Sequence, residues 1–160
     1  MSSPFFRPPS LRLAVTGGRG RLAAVIADHF REPQHDMALY SRQAGPGFRP
    51  HHDLLNPATL AETDAILHLA WSTLPATSEQ DPGREAQVDL PALQRLLGSL
   101  AAQPADRRPH LIFFSSGGAV YGDAPGRPNR EDDPCRPVGR YGRAKLQAEE
   151  MILQAAGEHG

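Results

Sequence analysis

Short apolar runs bounded by glycine and proline alternate along this chain with stretches in which apolar residues recur at helical spacing. LRLAVT (11–16), HDMALYS (35–41), DAILHLA (64–70) and HLIFFSS (110–116) each read as a strand. The nearly unbroken apolarity of DAILHLA suits a parallel strand covered by helices on both faces. A further short strand is expected near 51–54. After the first run, Leu22, Val25, Ile26 and Phe30 fall at helical spacing. Residues 81–103 place Leu90, Leu93, Leu96, Leu97 and Leu100 on one helical face, and Pro91, lacking an N–H, predicts a kink or a split. A Gly-, Pro- and acid-rich loop follows at 122–137, then a last helix over 138–156. Strands alternating with helices in this way predict an α/β fold, a doubly wound parallel sheet with right-handed crossovers, over 11–160. Residues 1–10, with three prolines and no periodicity, read as a flexible tail.

Composition narrows the function classes. At 160 residues with 39% apolar content, one domain can bury its own core. The net charge of -1 supplies no field to steer the chain to nucleic acid or an anionic membrane, so a small-molecule partner is expected. Cys135 is the lone cysteine and cannot form an internal disulfide; the N-terminal segment has no apolar region of the secretory kind. The cytoplasm is the expected compartment. No apolar run approaches the ~18 residues of a membrane span.

Two motifs carry chemistry. TGGRGRLA (16–23) joins a strand to a helix, where Gly17 and Gly20 allow a tight turn and close approach to a pyrophosphate, and Ala23 is small enough for close helix packing. Alone, such a turn is equally an ordinary strand-to-helix connection. The second strand ends Leu39-Tyr40-Ser41-Arg42 without an acid for a ribose 2′-hydroxyl; Arg42, helped by Arg19, favours the 2′-phosphate of NADP, although a solvated arginine reads the same way. GRYGRAK places Tyr141 and Lys145 at i and i+4, on one helix face. An ammonium beside a phenol lowers the tyrosine pKa and suits it to general acid–base work. The triplet His51, His52 and Asp53 reads as a solvated loop rather than a metal site, and Cys135 has no assigned role.

TGGRGRLA, DAILHLA, SSGGAVYGD and YGRAK, in this order, resemble the extended short-chain dehydrogenase/reductases, the NAD(P)-dependent epimerase/dehydratase group acting on nucleotide sugars. The resemblance implies a Rossmann-like sheet with NADP or NAD as cofactor, Gly17 and Gly20 under the pyrophosphate, and Asp53 and Leu54 near the adenine. It also implies Leu69 and Ala70 along the nicotinamide ribose, Tyr141 as catalytic base, and Lys145 holding the ribose and tuning Tyr141. Gly117 stands where a catalytic Ser or Thr is usual, which leaves Ser116 as the nearest hydroxyl. Gly118 and Ala119 replace the Asp-Glu pair of the 4,6-dehydratases, so elimination of water is disfavoured. Asp89 stands where an Asn is common.

The resemblance further implies later strands and a substrate domain beyond this span, so the chain reads as the N-terminal portion of such an enzyme, with HLIFFSS as an exposed edge. The expected activity is that of a nucleotide-sugar epimerase, dehydrogenase or reductase. The alternative is a non-catalytic NAD(P)-binding module or an inactive truncated chain. A homodimer is kept open.

Overall fold

A computed structural model describes residues 10–30, 35–123 and 126–159. Apart from Ser10, the expected tail at 1–10 lies outside the described residues. Five strands form one parallel sheet in the order β3-β2-β1-β4-β5: β1 (Leu11–Thr16), β2 (His35–Ser41), β3 (Arg49–Pro50), β4 (Ala65–His68) and β5 (His110–Phe113). Register places Thr16, the last residue of β1, beside Tyr40 on one side and His68 on the other. The C-terminal ends of three strands therefore meet at one rim, where ligands bind in open α/β sheets.

Among the described residues, six α-helices connect and cover these strands: α1 (Arg21–His29), α2 (Pro57–Ala61), α3 (Pro75–Gln80), α4 (Leu90–Ala101), α5 (Gly117–Val120) and α6 (Arg140–His159). The leucine face of α4 is buried at Leu90, Leu93, Leu96 and Leu100. Its C-terminal half packs on the sheet through Leu96 and Leu100 with Ala14, Tyr40 and Ile66. Its N-terminal half joins Ala148 of α6, with Trp71 and Phe113 alongside.

Four local expectations are adjusted. The short strand lies at Arg49–Pro50, and His51–Leu55 forms a 3-10 turn instead. Helix α2 had no periodicity to announce it, but Asn56 accepts the Ala58 N–H through Oδ1 at 2.9 Å and Pro57 occupies the first turn, where its missing N–H costs nothing. The helix expected over 81–103 starts later, as a π turn over Glu85–Asp89 that runs straight into α4, and Pro91 sits in the first turn of α4 without splitting it. On α1 the expected apolar stripe is largely exposed, with Val25 65% accessible, and the buried residue is Ala23. A small side chain there lets the helix lie close to the sheet and turns its larger neighbours outward.

Candidate active site

The glycine turn is wedged between the ends of β2 and β4. Gly17 has φ +70°, and a Cβ there would lie 2.9 Å from the Ala70 backbone nitrogen, so both the conformation and the space exclude other residues. The Gly18 N–H donates to the Tyr40 carbonyl at 2.9 Å, and the Gly20 N–H to the Gly17 carbonyl at 2.8 Å. Helix α1 then begins at Gly20 with no side-chain cap and no acid in its first turn. Its first N–H groups and the positive end of its dipole stay open to an anion. A dinucleotide pyrophosphate fits this cradle, and Ala23 is fully buried beneath it.

Beyond the turn, Arg19 reaches across the end of β2. Its guanidinium lies 4.5 Å from the Phe48 ring centroid, and its Nε donates to Ser41 Oγ at 3.4 Å. Ser41 in turn donates to the Gln43 carbonyl. Arg42 is exposed beside this group, and no acid occupies the end of the strand. Leu54 points into the core, whereas Asp53 is half exposed and pairs with His52 Nε2 at 3.2 Å. Of that expected pair, only Asp53 offers a side chain to the outside.

Where β1 meets β4, Thr16 Oγ1 lies 2.9 Å from His68 Nδ1 and accepts the Ala70 N–H at 3.1 Å. This fixes the segment carrying Leu69 and Ala70 against the glycine turn. Burial holds the His68 imidazole down at about 4, helped by the charges of His51 and Lys145, so it is neutral.

Tyr141 and Lys145 share the inner face of α6 as their spacing predicts, but the ammonium is not turned to the phenol. Lys145 Nζ donates to the Phe114 carbonyl at 2.9 Å and lies 3.9 Å from the Trp71 ring centroid, 4.6 Å from that of Phe113 and 5.8 Å from that of Tyr141. Its side chain is buried, which lowers it to about 8 against the opposing charges of Asp89 and Glu149. Tyr141 is raised above the ordinary tyrosine value, by burial first; a hydrogen bond with Ser116 opposes this, and the charge of Glu85 adds to it. Ser116, the one hydroxyl expected to assist, is thus among the groups that act on Tyr141. Tyr141, Gly118 and Ala119 line a cleft of about 190 Å³ with Glu79, whose carboxylate is engaged by the Arg140 N–H at 2.8 Å and by Arg140 Nε at 3.4 Å.

Close helix approach sets this geometry. A Cβ on Gly142 would lie 2.4 Å from the Ala119 carbonyl oxygen, so only glycine lets the start of α6 rest on α5, which carries Ser116 at its N-terminus. Behind the site, Asp89 accepts both donors of Ser72, N–H at 2.8 Å and Oγ–H at 2.5 Å. Two donors converging on one carboxylate suit Asp. Thr73 Oγ1 donates to the buried Glu85 at 2.6 Å.

The structure therefore brings Gly17, Leu69, Ala70, Ser116, Tyr141 and Lys145 to one rim, with Arg19 and Arg42 at the neighbouring end of β2. Sequence reasoning missed Thr16, His68, Trp71 and Ser72. A histidine inside the apolar run DAILHLA, and the placement of the chain's only tryptophan directly after it, were the available signals.

Comparison with known proteins agrees with this geometry. The model of the NAD dependent epimerase/dehydratase family matches residues 13–160. Methionine adenosyltransferase 2 subunit beta of Bos taurus is 28% identical over 91% of the chain and 44% of its own length. UDP-glucose 4-epimerase of Azospirillum brasilense is 28% identical over 94% of the chain and 46% of its own. The crystal structure of UDP-glucose 4-epimerase from Brucella ovis in complex with NAD superposes with a TM-score of 0.78 at 26% identity, covering 94% of this chain and 49% of that one. The chain spans about half the length of the relatives it matches. Among the described residues, no helix is long and apolar enough to cross a membrane.

Proposed function

Since the chain belongs to the NAD dependent epimerase/dehydratase family, we propose that it is the cofactor-binding and catalytic portion of a nucleotide-sugar epimerase, or of a related dehydrogenase or reductase. The observation that carries this reading is the convergence of Tyr141, Ser116 and Lys145 at the rim that also holds the Gly17 turn. The family supplies a nicotinamide dinucleotide; Gly17, Gly20 and the open start of α1 would hold its pyrophosphate, with Leu69 and Ala70 along the ribose. Such a dinucleotide would supply hydride chemistry at the carbon bearing the reacting hydroxyl, and return of the hydride to the opposite face would give epimerisation.

The chain's own residues manage the proton. Tyr141 accepts it from the sugar hydroxyl as the carbonyl forms, and returns it in the reverse direction. Ser116 hydrogen-bonds the same hydroxyl and orients it. Tyr141 must be phenolate to take that proton, and Lys145, 5.8 Å from its ring centroid on the same helix face, supplies positive charge that favours this form against the burial that raises Tyr141. Arg42 and Arg19, at a strand end without an acid, favour NADP over NAD. Gly118 and Ala119 bring no carboxylate to the cleft for elimination, which supports epimerase or reductase chemistry over dehydration. The lone Cys135 is consistent with a reducing, cytoplasmic setting.

A second reading, a dinucleotide-binding module without turnover, is favoured by the relatives named as subunits of methionine adenosyltransferase. Calorimetric titration with NADP and NAD, followed by cofactor-reduction assays against nucleotide sugars in a chain of the relatives' length, separates the two. Tyr141→Phe is expected to abolish turnover and leave cofactor affinity nearly intact. Turnover in that variant overturns the role of Tyr141; binding without turnover in the parent supports the module; absence of binding overturns both.

A further inference from the structure

The chain contains one tryptophan and one lysine, and the fold places them face to face, Lys145 Nζ 3.9 Å from the Trp71 ring centroid. The ammonium has three N–H donors, of which one goes to the Phe114 carbonyl at 2.9 Å. The same nitrogen lies 3.9, 4.6 and 5.8 Å from the ring centroids of Trp71, Phe113 and Tyr141. Trp71 in turn meets Phe113 and Tyr141 edge-on, at 6.1 and 6.5 Å. Its Nε1 is buried with no hydrogen-bond partner among the described residues, and the ring is placed by packing and by the cation on its face.

A buried ammonium without a full set of acceptors tends to lose its proton. The negative face of an indole opposes that loss, because it attracts the cation and not the neutral amine. We propose that Trp71 is a positioning residue for Lys145: its ring face holds the ammonium charged beside Tyr141, in contacts weak enough to be exchanged for the hydroxyls of a bound ligand. The significance for catalysis rests on the reading of Lys145 given above. Trp71 acts on Lys145 in the free protein, without cofactor or substrate. The charged and titratable groups facing Lys145 are Tyr141 and Glu149 on α6, Asp89 in the π turn with Glu85 behind it, and His68 on β4.

Because Lys145 is the only lysine, its titration can be followed by the pH dependence of amine acetylation, read by mass spectrometry on the peptide containing it. Because Trp71 is the only tryptophan, growth on fluorinated tryptophans changes this one ring, and each fluorine weakens its negative face with little change of shape. The midpoint for Lys145 is expected to fall stepwise from tryptophan to mono-, di- and trifluorotryptophan. In Trp71→Leu, which keeps an apolar cover but removes the ring, it should fall by about one pH unit, a tenfold change in the protonation constant. Trp71→Phe should restore most of it. A midpoint unchanged across the fluorinated series, or the same in the Leu and Phe variants, overturns the proposal. The fluorinated series does so even if the Leu variant fails to fold.

Discussion

Thr16 and His68 meet across β1 and β4, hydroxyl to Nδ1 at 2.9 Å, at the residues where both strands end. Thr16 also accepts the Ala70 N–H, so one buried hydroxyl ties the segment after β4 to the strand that launches the glycine turn. The two walls of the expected cofactor cleft are thereby held at a fixed spacing, and the contact depends on a neutral imidazole that burial has made hard to protonate.

Acid should therefore loosen the fold. His68 is lowered from 6.5 to about 4, mainly by burial. A folded value below the unfolded one means that the native state resists the proton. The stability tied to neutral His68 is complete above pH 6.5, declines below it, and is lost once pH falls through the folded value of about 4. The gap corresponds to about 3 kcal/mol. Urea denaturation at steps between about pH 7 and pH 4 should show a falling midpoint, with a shallower fall in His68→Gln. Parallel curves for the two proteins would remove His68 from the account.

Asp89 should tolerate Asn far better than Ala. Asn retains an acceptor for the Ser72 N–H and can donate to Ser72 Oγ, whereas Ala strands both Ser72 groups at a cost of about 1–3 kcal/mol. Asn also removes a negative charge that holds the Lys145 proton, so Lys145 should titrate lower in Asp89→Asn. Thermal melting together with Lys145 acetylation separates the two effects. Equal destabilisation by Asn and Ala would contradict the hydrogen-bond pattern.

Gly142→Ala is expected to damage the site through geometry. The added Cβ, 2.4 Å from the Ala119 carbonyl, must push α6 off α5, and overpacking of this kind costs about 1–3 kcal/mol. The displacement moves Tyr141 away from Ser116. In a protein of the relatives' length, turnover should drop more than cofactor affinity; a variant with unchanged turnover would show that the contact between Tyr141 and Ser116 is dispensable.

How much of this was legible depended on range. The four long strand segments and the glycine turn carry their own signals, since alternation with helices and the Gly17–Gly20 spacing are local. The leucines of α4 were visible for the same reason. Pro91 predicts a kink or a split in their helix, but it sits in the first turn of α4, where its missing N–H costs nothing, and the irregularity lies just before it as a π turn over Glu85–Asp89. What could not be read was contact between distant residues. Nothing near Lys145 indicates that Trp71, 74 positions earlier, covers it, and the phenol it was expected to face is instead raised by burial. On α1, helical spacing marked Leu22 and Val25 as a buried stripe, but spacing records periodicity and not which face meets the sheet.

Cofactor choice should respond to Arg42. If it pairs with a 2′-phosphate, Arg42→Ser removes a charge-assisted contact and weakens NADP binding by about tenfold or more, while NAD affinity changes little. Arg19→Ser should act in the same direction, with added loss of packing on Phe48. Calorimetry with both cofactors decides it. Equal losses for NADP and NAD would place the arginines in general electrostatics and withdraw the preference.

The 160-residue chain by itself should self-associate. Among the described residues, strand β5 is hydrogen-bonded to β4 on one side and lies at the edge of the sheet, with Ile112 48% and Phe114 37% exposed beside it. An edge of this kind presents unpaired backbone groups together with apolar side chains, a template for another strand. The outward residues of α1, Leu22 and Val25, enlarge the apolar surface of the molecule. Sedimentation should show mass rising with concentration. Ile112→Lys should reduce it, because a charge on the edge opposes pairing while the inward-facing Leu111 and Phe113 are untouched. If the parent stays monomeric and melts sharply at high concentration, the exposed edge is not adhesive, and other features of β5 protect it.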